Sequence, residues 1–277
     1  MTTLTIPSTA KAPTRPQSGK PLAFDAMRAE WTKLRSVRST LWTLLATGGI
    51  MVGIGSLLCA AYVGRYDRLS PLERVTFKPV SFSLNGLFLA QLAIGVLGVL
   101  VMTSEFGTGM IRATFTAMPQ RRLVLAAKAA VFAAAAAVVG IASSFGAFFA
   151  GQAILAGKGV GVSITHAGAL RSVVGAGLYL TVLGLLSLGL GTVIRRTAGS
   201  IATLFGLVFV LPILVAQLPS SWADPISKYL PTSAGLAIIG GERGATTLSP
   251  WVGFGLFCLY AAAALTAGAV SLARRDA

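Results

Sequence analysis

Long apolar segments recur along the chain, and six of them are long enough to cross a bilayer. A helix needs about 20 apolar residues to span roughly 30 Å of hydrocarbon, because each residue rises about 1.5 Å. The segments lie at residues 41–63, 84–103, 129–155, 173–194, 198–218 and 251–272. None of them contains Asp, Glu, Lys, Arg or His. The pattern predicts an all-α membrane protein with six transmembrane helices.

The chain before the first apolar segment has two parts. Residues 1–21 are rich in Thr, Ser, Pro and Lys and have no apolar period, which predicts a disordered cytoplasmic tail. Residues 22–39 differ, because Phe24, Met27 and Trp31 recur at helical spacing between basic residues. A basic amphipathic helix of this kind is typical of the membrane interface, although a solvated helix packed on a partner fits the same pattern. The candidate interfacial residues are Glu30, Trp31, Lys33 and Arg35.

The composition limits the domain organisation. Of 277 residues, 55% are hydrophobic and 11% are charged, whereas soluble domains are about a quarter charged. We therefore expect one six-span membrane domain at 22–277. The net charge of +15 would suggest nucleic acid binding in a soluble protein. Here the basic residues flank apolar segments, which favours contact with anionic membrane lipids and no nucleic acid partner.

The basic residues also predict the orientation. If the N-terminus is inside, fifteen Lys and Arg residues lie on inner segments and eight on outer segments. The excess predicts a multi-pass protein of the plasma membrane with both termini in the cytoplasm. The first outer loop is unusually basic, with Arg65, Arg68, Arg74 and Lys78, and this opposes the prediction.

Two features predict details of helix packing. Only Arg195, Arg196 and Thr197 separate the fourth and fifth segments, so these must form a tight hairpin, and Pro212 should kink the fifth. Small residues let helices approach closely in lipid. The glycines expected to do so include Gly49, Gly53, Gly184, Gly189 and Gly191.

The chain carries little that suggests catalysis. Cys59 and Cys258 lie in apolar segments and should be unpaired, and His166 has no other metal ligands beside it. The stretch at 151–159 resembles a phosphate-binding loop, but its glycine spacing is one residue too long and no hydroxyl residue follows Lys158. We therefore expect no enzyme activity, and no cofactor or metal site, in this chain.

The segment between the second and third apolar segments holds the most informative pattern. Gly107 and Gly109 permit a sharp turn at the membrane surface. Residues 110–118 should then form a short helix that Pro119 ends. Its apolar edge would consist of Ile111, Phe115 and Met118.

This segment resembles the corresponding loop in permease subunits of type-2 ABC transporters. In that family the second span ends in an acidic residue, here Glu105, followed by a glycine-containing turn, a short helix and a basic stretch. The segments at 30–36 and 218–231 are also similar to the family, and the resemblance covers nearly the whole chain after residue 22. It implies a type-2 ABC exporter-like fold.

The resemblance also implies roles for particular residues. An ATPase-coupling loop would contain Glu105, Gly107, Gly109, Ile111, Arg112, Phe115, Met118 and Pro119. An outer-mouth element would contain Trp222, Tyr229 and Pro231, although aromatic residues there are equally typical of membrane anchors. Glu105 would pair with a basic residue of the interfacial helix, or it is a solvated charge of little energetic value.

The implied function is that of a permease subunit of an ATP-binding cassette transporter, which exports an amphipathic or lipid-like substrate. A separate cytoplasmic ATPase would bind ATP and magnesium, and a second permease subunit would form a homo- or heterodimer with this one. The alternative is a non-transporting membrane scaffold or an immunity-type protein. A secondary transporter is disfavoured, because such proteins usually need ionisable groups within their spans.

Overall fold

Apolar segments in lipid find no water to bond their backbone, so they must satisfy their amides internally, as helices do. The computed structural model describes residues 19–240 and 247–274, and every regular element in these ranges is a helix. In chain order these are α1 (Gly19–Ser36), α2 (Arg38–Arg65), α3 (Pro71–Val75), α4 (Pro79–Ser83), α5 (Leu87–Gly107), α6 (Met110–Ala117), α7 (Arg121–Ala156), α8 (Ala169–Ile194), α9 (Thr197–Phe205), α10 (Leu211–Ala216), α11 (Ser220–Ser227), α12 (Pro231–Leu236) and α13 (Pro250–Arg274). A 3-10 turn at Tyr66–Arg68 follows α2, and a π-helical turn at Gly206–Val210 joins α9 to α10.

Six helical segments are long and apolar enough to cross a membrane, as the sequence predicts. They are α2 with the turn that follows it, α5, α7, α8, the joined α9 and α10, and α13. The described part of the chain therefore has the architecture of a multi-pass helical membrane protein. Most of the predicted tail lies outside the described residues, but residues 19–21, assigned to that tail, belong to α1.

Two spans extend well beyond their predicted bounds. α5 continues through Glu105 to Gly107, and α7 begins at Arg121 rather than near residue 129. With 36 residues, α7 rises about 54 Å, which exceeds the roughly 30 Å hydrocarbon layer. These two helices therefore do carry ionisable groups in their extensions, among them Glu105 and Lys128, at the end of the bundle where α1 lies. We call this the α1 end.

α8 is the central helix of the bundle and packs against α5, α7, α9 and α13. In its most apolar stretch 78% of the residues are buried, a larger share than in the other five spans. The ring of Tyr179 stacks on Phe257 with centroids 5.2 Å apart, and its hydroxyl donates to Oε1 of Gln91 at 2.6 Å. A buried hydroxyl therefore has the partner that an apolar surrounding demands.

The predicted glycine contacts are found on α8 but not on α2. A Cβ atom added at Gly98 of α5 would lie 2.4 Å from the carbonyl oxygen of Gly184, so the two backbones touch. Gly189 and Gly191 make similar close approaches to α13 and α5. In contrast, Gly49 and Gly53 have no neighbouring atom within 4 Å of an added Cβ. The expectation that they pack helices together is wrong within this chain, because they face outward.

The fourth and fifth spans form the expected tight hairpin. α8 ends at Ile194, Arg195 takes the left-handed conformation at φ 61°, and α9 begins two residues later. In the fifth span, the π-helical turn precedes Pro212, which has no amide hydrogen for the carbonyl four residues back. That carbonyl belongs to Val208, and it accepts a hydrogen bond from the hydroxyl of Thr232 at 3.0 Å.

Candidate functional site

Four charged side chains from three helices meet at the α1 end. Nζ of Lys128 donates to Oε2 of Glu30 at 2.6 Å and to Oε1 of Glu105 at 2.8 Å. Nζ of Lys33 donates to Oε1 of Glu30 at 2.9 Å and to Oε1 of Glu105 at 3.2 Å. We call these four residues the ion cluster. It joins the surface helix α1 to the ends of α5 and α7.

The ion cluster is largely shielded from solvent. Glu30, Glu105 and Lys128 are only 4–6% exposed, whereas the side chain of Lys33 is 34% exposed. Burial lowers the pKa of Lys33, but its hydrogen bond to Glu30 and the charges of both glutamates outweigh burial and hold the pKa above its ordinary value. Lys33 is therefore protonated at neutral pH. Two acids and two bases balance, which limits the cost of placing charges away from water.

Glu105 pairs with Lys33 of α1, one of the two roles that its sequence position suggests, and it is not a solvated charge. Its two carboxylate oxygens differ. Oε1 accepts from both lysines, whereas Oε2 is buried and accepts no hydrogen bond from any described residue. A buried acceptor of this kind is uncommon, because most buried polar atoms have at least one partner.

The short helix α6 is connected to this cluster and to the core of the bundle. Nζ of Lys33 lies 3.5 Å from Oγ1 of Thr114. Ile111 is only 2% exposed and belongs to the main hydrophobic core. The guanidinium of Arg121 lies over the ring of Phe115, 5.2 Å from its centroid. A polar contact, a buried aliphatic side chain and a cation–π contact therefore fix the position of α6.

The local sequence accounts for the bounds of α6. Gly109 takes a left-handed conformation at φ 71°, which turns the chain sharply after α5 ends at Gly107. Met118 is extended, as expected for a residue that precedes proline, so Pro119 ends the helix. The predicted helix at 110–118 is thus present, one residue shorter.

The apolar edge predicted for α6 faces the protein itself. Ile111 is buried, and Phe115 and Met118 are half-buried, because the adjoining spans offer an apolar surface to that side of the helix. The outward side instead carries Met110, which is 48% exposed, and Arg112. Its other exposed residues are Ala113, Thr116 and Ala117.

The remaining predicted residues of α1 face away from the bundle. Trp31 is 44% exposed and Arg35 is also exposed, as are Phe24 and Met27. Glu30 and Lys33 point inward to the ion cluster. α1 thus has one ionic face packed on α7 and one aromatic and basic face directed outward.

Trp222, Tyr229 and Pro231 lie at the opposite end of the bundle, in or next to α11 and α12. Trp222 and Tyr229 are 66% and 51% exposed, whereas Pro231 is buried. The backbone carbonyl of Tyr229 accepts a hydrogen bond from the hydroxyl of Tyr260 at 2.8 Å. α12 packs on α13 at this end, and its residues are not part of the ion cluster.

Sequence reasoning missed Lys128 as a member of the site. The signal was available, because Val124, Lys128 and Val131 share one helix face at spacings of four and three residues. It also missed two arginines that hold the end of α13. Nη1 of Arg121 donates to the carbonyl of Leu272 at 2.9 Å, and Nη2 of Arg195 donates to that of Ser271 at 3.0 Å.

These contacts bring side-chain donors from the start of α7 and from the turn after α8 to carbonyls in the last turn of α13. The α1 end is therefore a connected polar region in which each of the spans α5, α7, α8 and α13 takes part. The chain matches no model in a scan of known protein families, and a search of curated proteins returns no significant match.

Proposed function

We propose that this protein is the permease subunit of an ATP-binding cassette transporter of the type-2 class. It exports an amphipathic or lipid-like substrate across the plasma membrane, and a separate cytoplasmic ATPase binds ATP and magnesium and supplies the energy. Two permease subunits, identical or related, form the complete transporter. The α1 end faces the cytoplasm in this proposal.

The observation that carries the proposal is the connection of α6 to the ion cluster. α6 is a short helix with an exposed outer side, which gives a partner protein a surface to bind. Its inner side contacts Lys33 through Thr114, and Lys33 contacts Glu30 and Glu105. A displacement of α6 would therefore act on α1, α5 and α7 together.

The properties of the ion cluster suit such a role. Three of its four members are buried, so they attract one another more strongly than solvated charges do. Breaking one contact leaves a buried charge without full compensation, which favours movement of the joined helices as a unit. When an ATPase moves α6, the ion cluster would transmit that displacement to the two spans α5 and α7.

The experiment is co-purification of the permease with a nucleotide-binding subunit from its native membrane. Replacing Arg112 by Glu and Thr116 by Trp changes the outer side of α6 without touching Ile111 or the ion cluster. We expect recovery of the ATPase to fall at least about tenfold, which corresponds to about 1.4 kcal/mol. The thermal unfolding midpoint of the permease should stay unchanged.

Arg196→Glu is the matched control, because Arg196 is also exposed at the α1 end but lies in the turn between α8 and α9. This control should retain the ATPase. A wild-type permease that purifies without any nucleotide-binding subunit would overturn the proposal and favour the non-transporting scaffold. If the α6 variant and the control lost the same fraction of co-purified ATPase, α6 would be rejected as the docking surface.

A further inference from the structure

A cavity of about 230 Å³ lies at the end of the bundle opposite the α1 end, between the start of α5 and the C-terminal end of α12. α12 packs on α8 and α13, and the cavity separates its last turn from α5. The space is far larger than the roughly 10–15 Å³ that one water molecule needs. Two amide side chains, Asn85 and Gln91, line it, and we call it the amide cavity.

Gln91 is a buried polar residue near the start of a span. It lies four residues after Leu87, the first residue of α5, or about 6 Å along the helix. Only 3% of Gln91 is exposed. Its Oε1 accepts a hydrogen bond from the hydroxyl of Tyr179 at 2.6 Å. Its Nε2 donates to none of the residues that the structure describes.

Nε2 of Gln91 has no partner, yet it is accessible. It retains accessible surface, in contrast with Oε2 of Glu105, which is fully enclosed. Because Gln91 lines the amide cavity, that surface faces the cavity. Turning the amide over would leave the hydroxyl proton of Tyr179 without an acceptor, so Nε2 is the unpartnered atom. A hydrogen-bond acceptor inside the cavity would therefore complete the amide.

The wall of the amide cavity carries no charge. Among the described residues that line it, none is ionisable. Arg171 donates to the carbonyl of Gly240 at 3.2 Å from behind and does not line the cavity. Ser81 and Asn85 are exposed and add a hydroxyl and a second amide. The apolar part of the wall consists of Leu84, Leu87, Phe88, Leu236 and Ile239. A charged ligand would find no counter-ion here, so the wall favours an uncharged one.

The amide cavity opens on the side of the bundle that would face lipid. Phe88, which lines it, is 61% exposed, and the adjacent Leu89 is 41% exposed. The ring of Phe88 meets that of Phe209 in the fifth span edge to face, with centroids 5.5 Å apart. Large exposed apolar side chains on two spans are expected where the spans contact hydrocarbon. An apolar chain could therefore leave the cavity past Phe88 into the bilayer.

We propose that the amide cavity binds an uncharged lipid ester with free hydroxyl groups, of the monoacylglycerol kind. Its ester carbonyl accepts from Nε2 of Gln91, and its hydroxyls bond Ser81 and Asn85. Its acyl chain passes Phe88. The proposal does not depend on the ATPase, so binding to the purified protein tests it separately from the proposed transport function.

The experiment is native mass spectrometry of the delipidated full-length protein with four probes of equal chain length. These are monooleoylglycerol, its ether analogue, oleate and oleylamine. The ether analogue keeps both hydroxyls and lacks the carbonyl that Gln91 needs. We expect the ester to bind at least about fivefold more tightly than each of the other three, since one hydrogen bond is of that order. A smaller preference over any of them would overturn the proposal.

Gln91→Met removes the N–H groups at similar side-chain length, and it should bring the ester and the ether to within about twofold of each other. A folded Gln91→Met protein that keeps the preference would reject Gln91 as the donor.

A second variant keeps the proposal testable if Gln91→Met unfolds the protein, since Tyr179 also loses its acceptor in that variant. Ser81→Trp narrows the cavity without touching the amide, and it should weaken ester binding at least about fivefold. Ser221→Trp is the control, because Ser221 is an exposed serine at the same end, in α11, that does not line the cavity. Unchanged ester binding in Ser81→Trp, or an equal loss in the control, would reject the site. Equally tight binding of glycerol 1-acetate, which has the head group without the long chain, would reject a membrane lipid as the ligand.

Discussion

Two lysines in this protein hold carboxylates at almost the same distance in very different surroundings. Nζ of Lys128 lies 2.6 Å from Glu30, and Nζ of Lys158 lies 2.7 Å from Asp67. The side chains of the first pair are 4% and 7% exposed, whereas those of the second are 33% and 79% exposed. Solvent screens the second pair, so equal geometry does not imply equal stabilisation.

Replacing each lysine by methionine should separate these two situations. Lys128→Met leaves Glu30 and Glu105 buried without a major partner, so we expect it to destabilise the fold by about 3–5 kcal/mol. Lys158→Met should change the unfolding midpoint by no more than the experimental error. Thermal unfolding of the purified protein in one detergent compares the two variants. If both variants lost the same stability, burial of the Lys128 ion pair would not explain its contribution.

At the residue scale, the sequence predicts part of the site, and the structure shows why it cannot predict the rest. Glu30, Lys33 and Glu105 are predicted because they lie in segments that resemble those of type-2 ABC permeases. The direction in which Ile111 points is not predicted, because two opposite faces of so short a helix both carry apolar residues. The contact between Lys33 and Thr114 and the core around Ile111 fix that rotation only in the folded chain.

Among the elements, the fifth span depends on a hydrogen-bond donor from elsewhere in the chain. Pro212 leaves the carbonyl of Val208 without its usual helical donor, and Thr232, next to the first residue of α12, supplies one. The hydrogen bond thus links the irregular part of a span to the short helix α12 at the far end of the bundle. A polar backbone group at membrane depth remains satisfied despite the proline.

A double-mutant cycle tests this link. Thr232→Val should cost roughly 1–3 kcal/mol in the wild type, because a buried carbonyl loses its donor. In a Pro212→Ala background the new amide reaches Val208, so the same change should cost much less. Chemical unfolding gives both values. Thr203→Val is the control, since the exposed hydroxyl of Thr203 donates to the carbonyl of Gly199 within α9. If Thr232→Val cost as much stability in the alanine background as in the wild type, the link would be refuted.

The number and type of the spans follow from the sequence, whereas their ends do not. Length and hydropathy are properties of a segment by itself, so all six spans are predicted. The part of α7 before its apolar segment contains Lys128, and the two glutamates that compensate its charge lie 98 and 23 positions away in the sequence. A hydropathy window that stops at the first charge cannot anticipate it.

For the whole molecule, the proposed orientation places the α1 end in the cytoplasm, and site-directed labelling tests it. In a chain with Cys59 and Cys258 replaced by alanine, a cysteine at Thr108 should react with an impermeant maleimide only after the membrane is opened. A cysteine at Leu72, which is 72% exposed in the loop after α2, should react in intact cells. The reverse pattern would invert the topology and remove the α6 surface from the side where ATP is available.

The central position of α8 is a property of the whole bundle that the sequence indicates only in part. Its glycines are numerous, but what matters is that they lie on several sides of the helix. Gly175 meets Ile238, Gly177 meets Ile141, Gly184 meets Phe132, Gly189 meets Ala264 and Gly191 meets Val99. Neighbours can therefore approach α8 from all round, an arrangement that becomes evident only when the partners are known.

The two arginines that bond the last turn of α13 are synthesised long before the carbonyls that accept from them. Arg121 lies 151 residues before the carbonyl that it bonds, and Arg195 lies 76 residues before its own acceptor. Both donors are therefore synthesised before α13, and each also lies over an aromatic ring, Phe115 for Arg121 and Phe106 for Arg195. A chain stopped before Ser271 has neither acceptor. The contacts with the last turn of α13 therefore form late in synthesis, and they add α13 to a part of the bundle whose other contacts involve earlier residues.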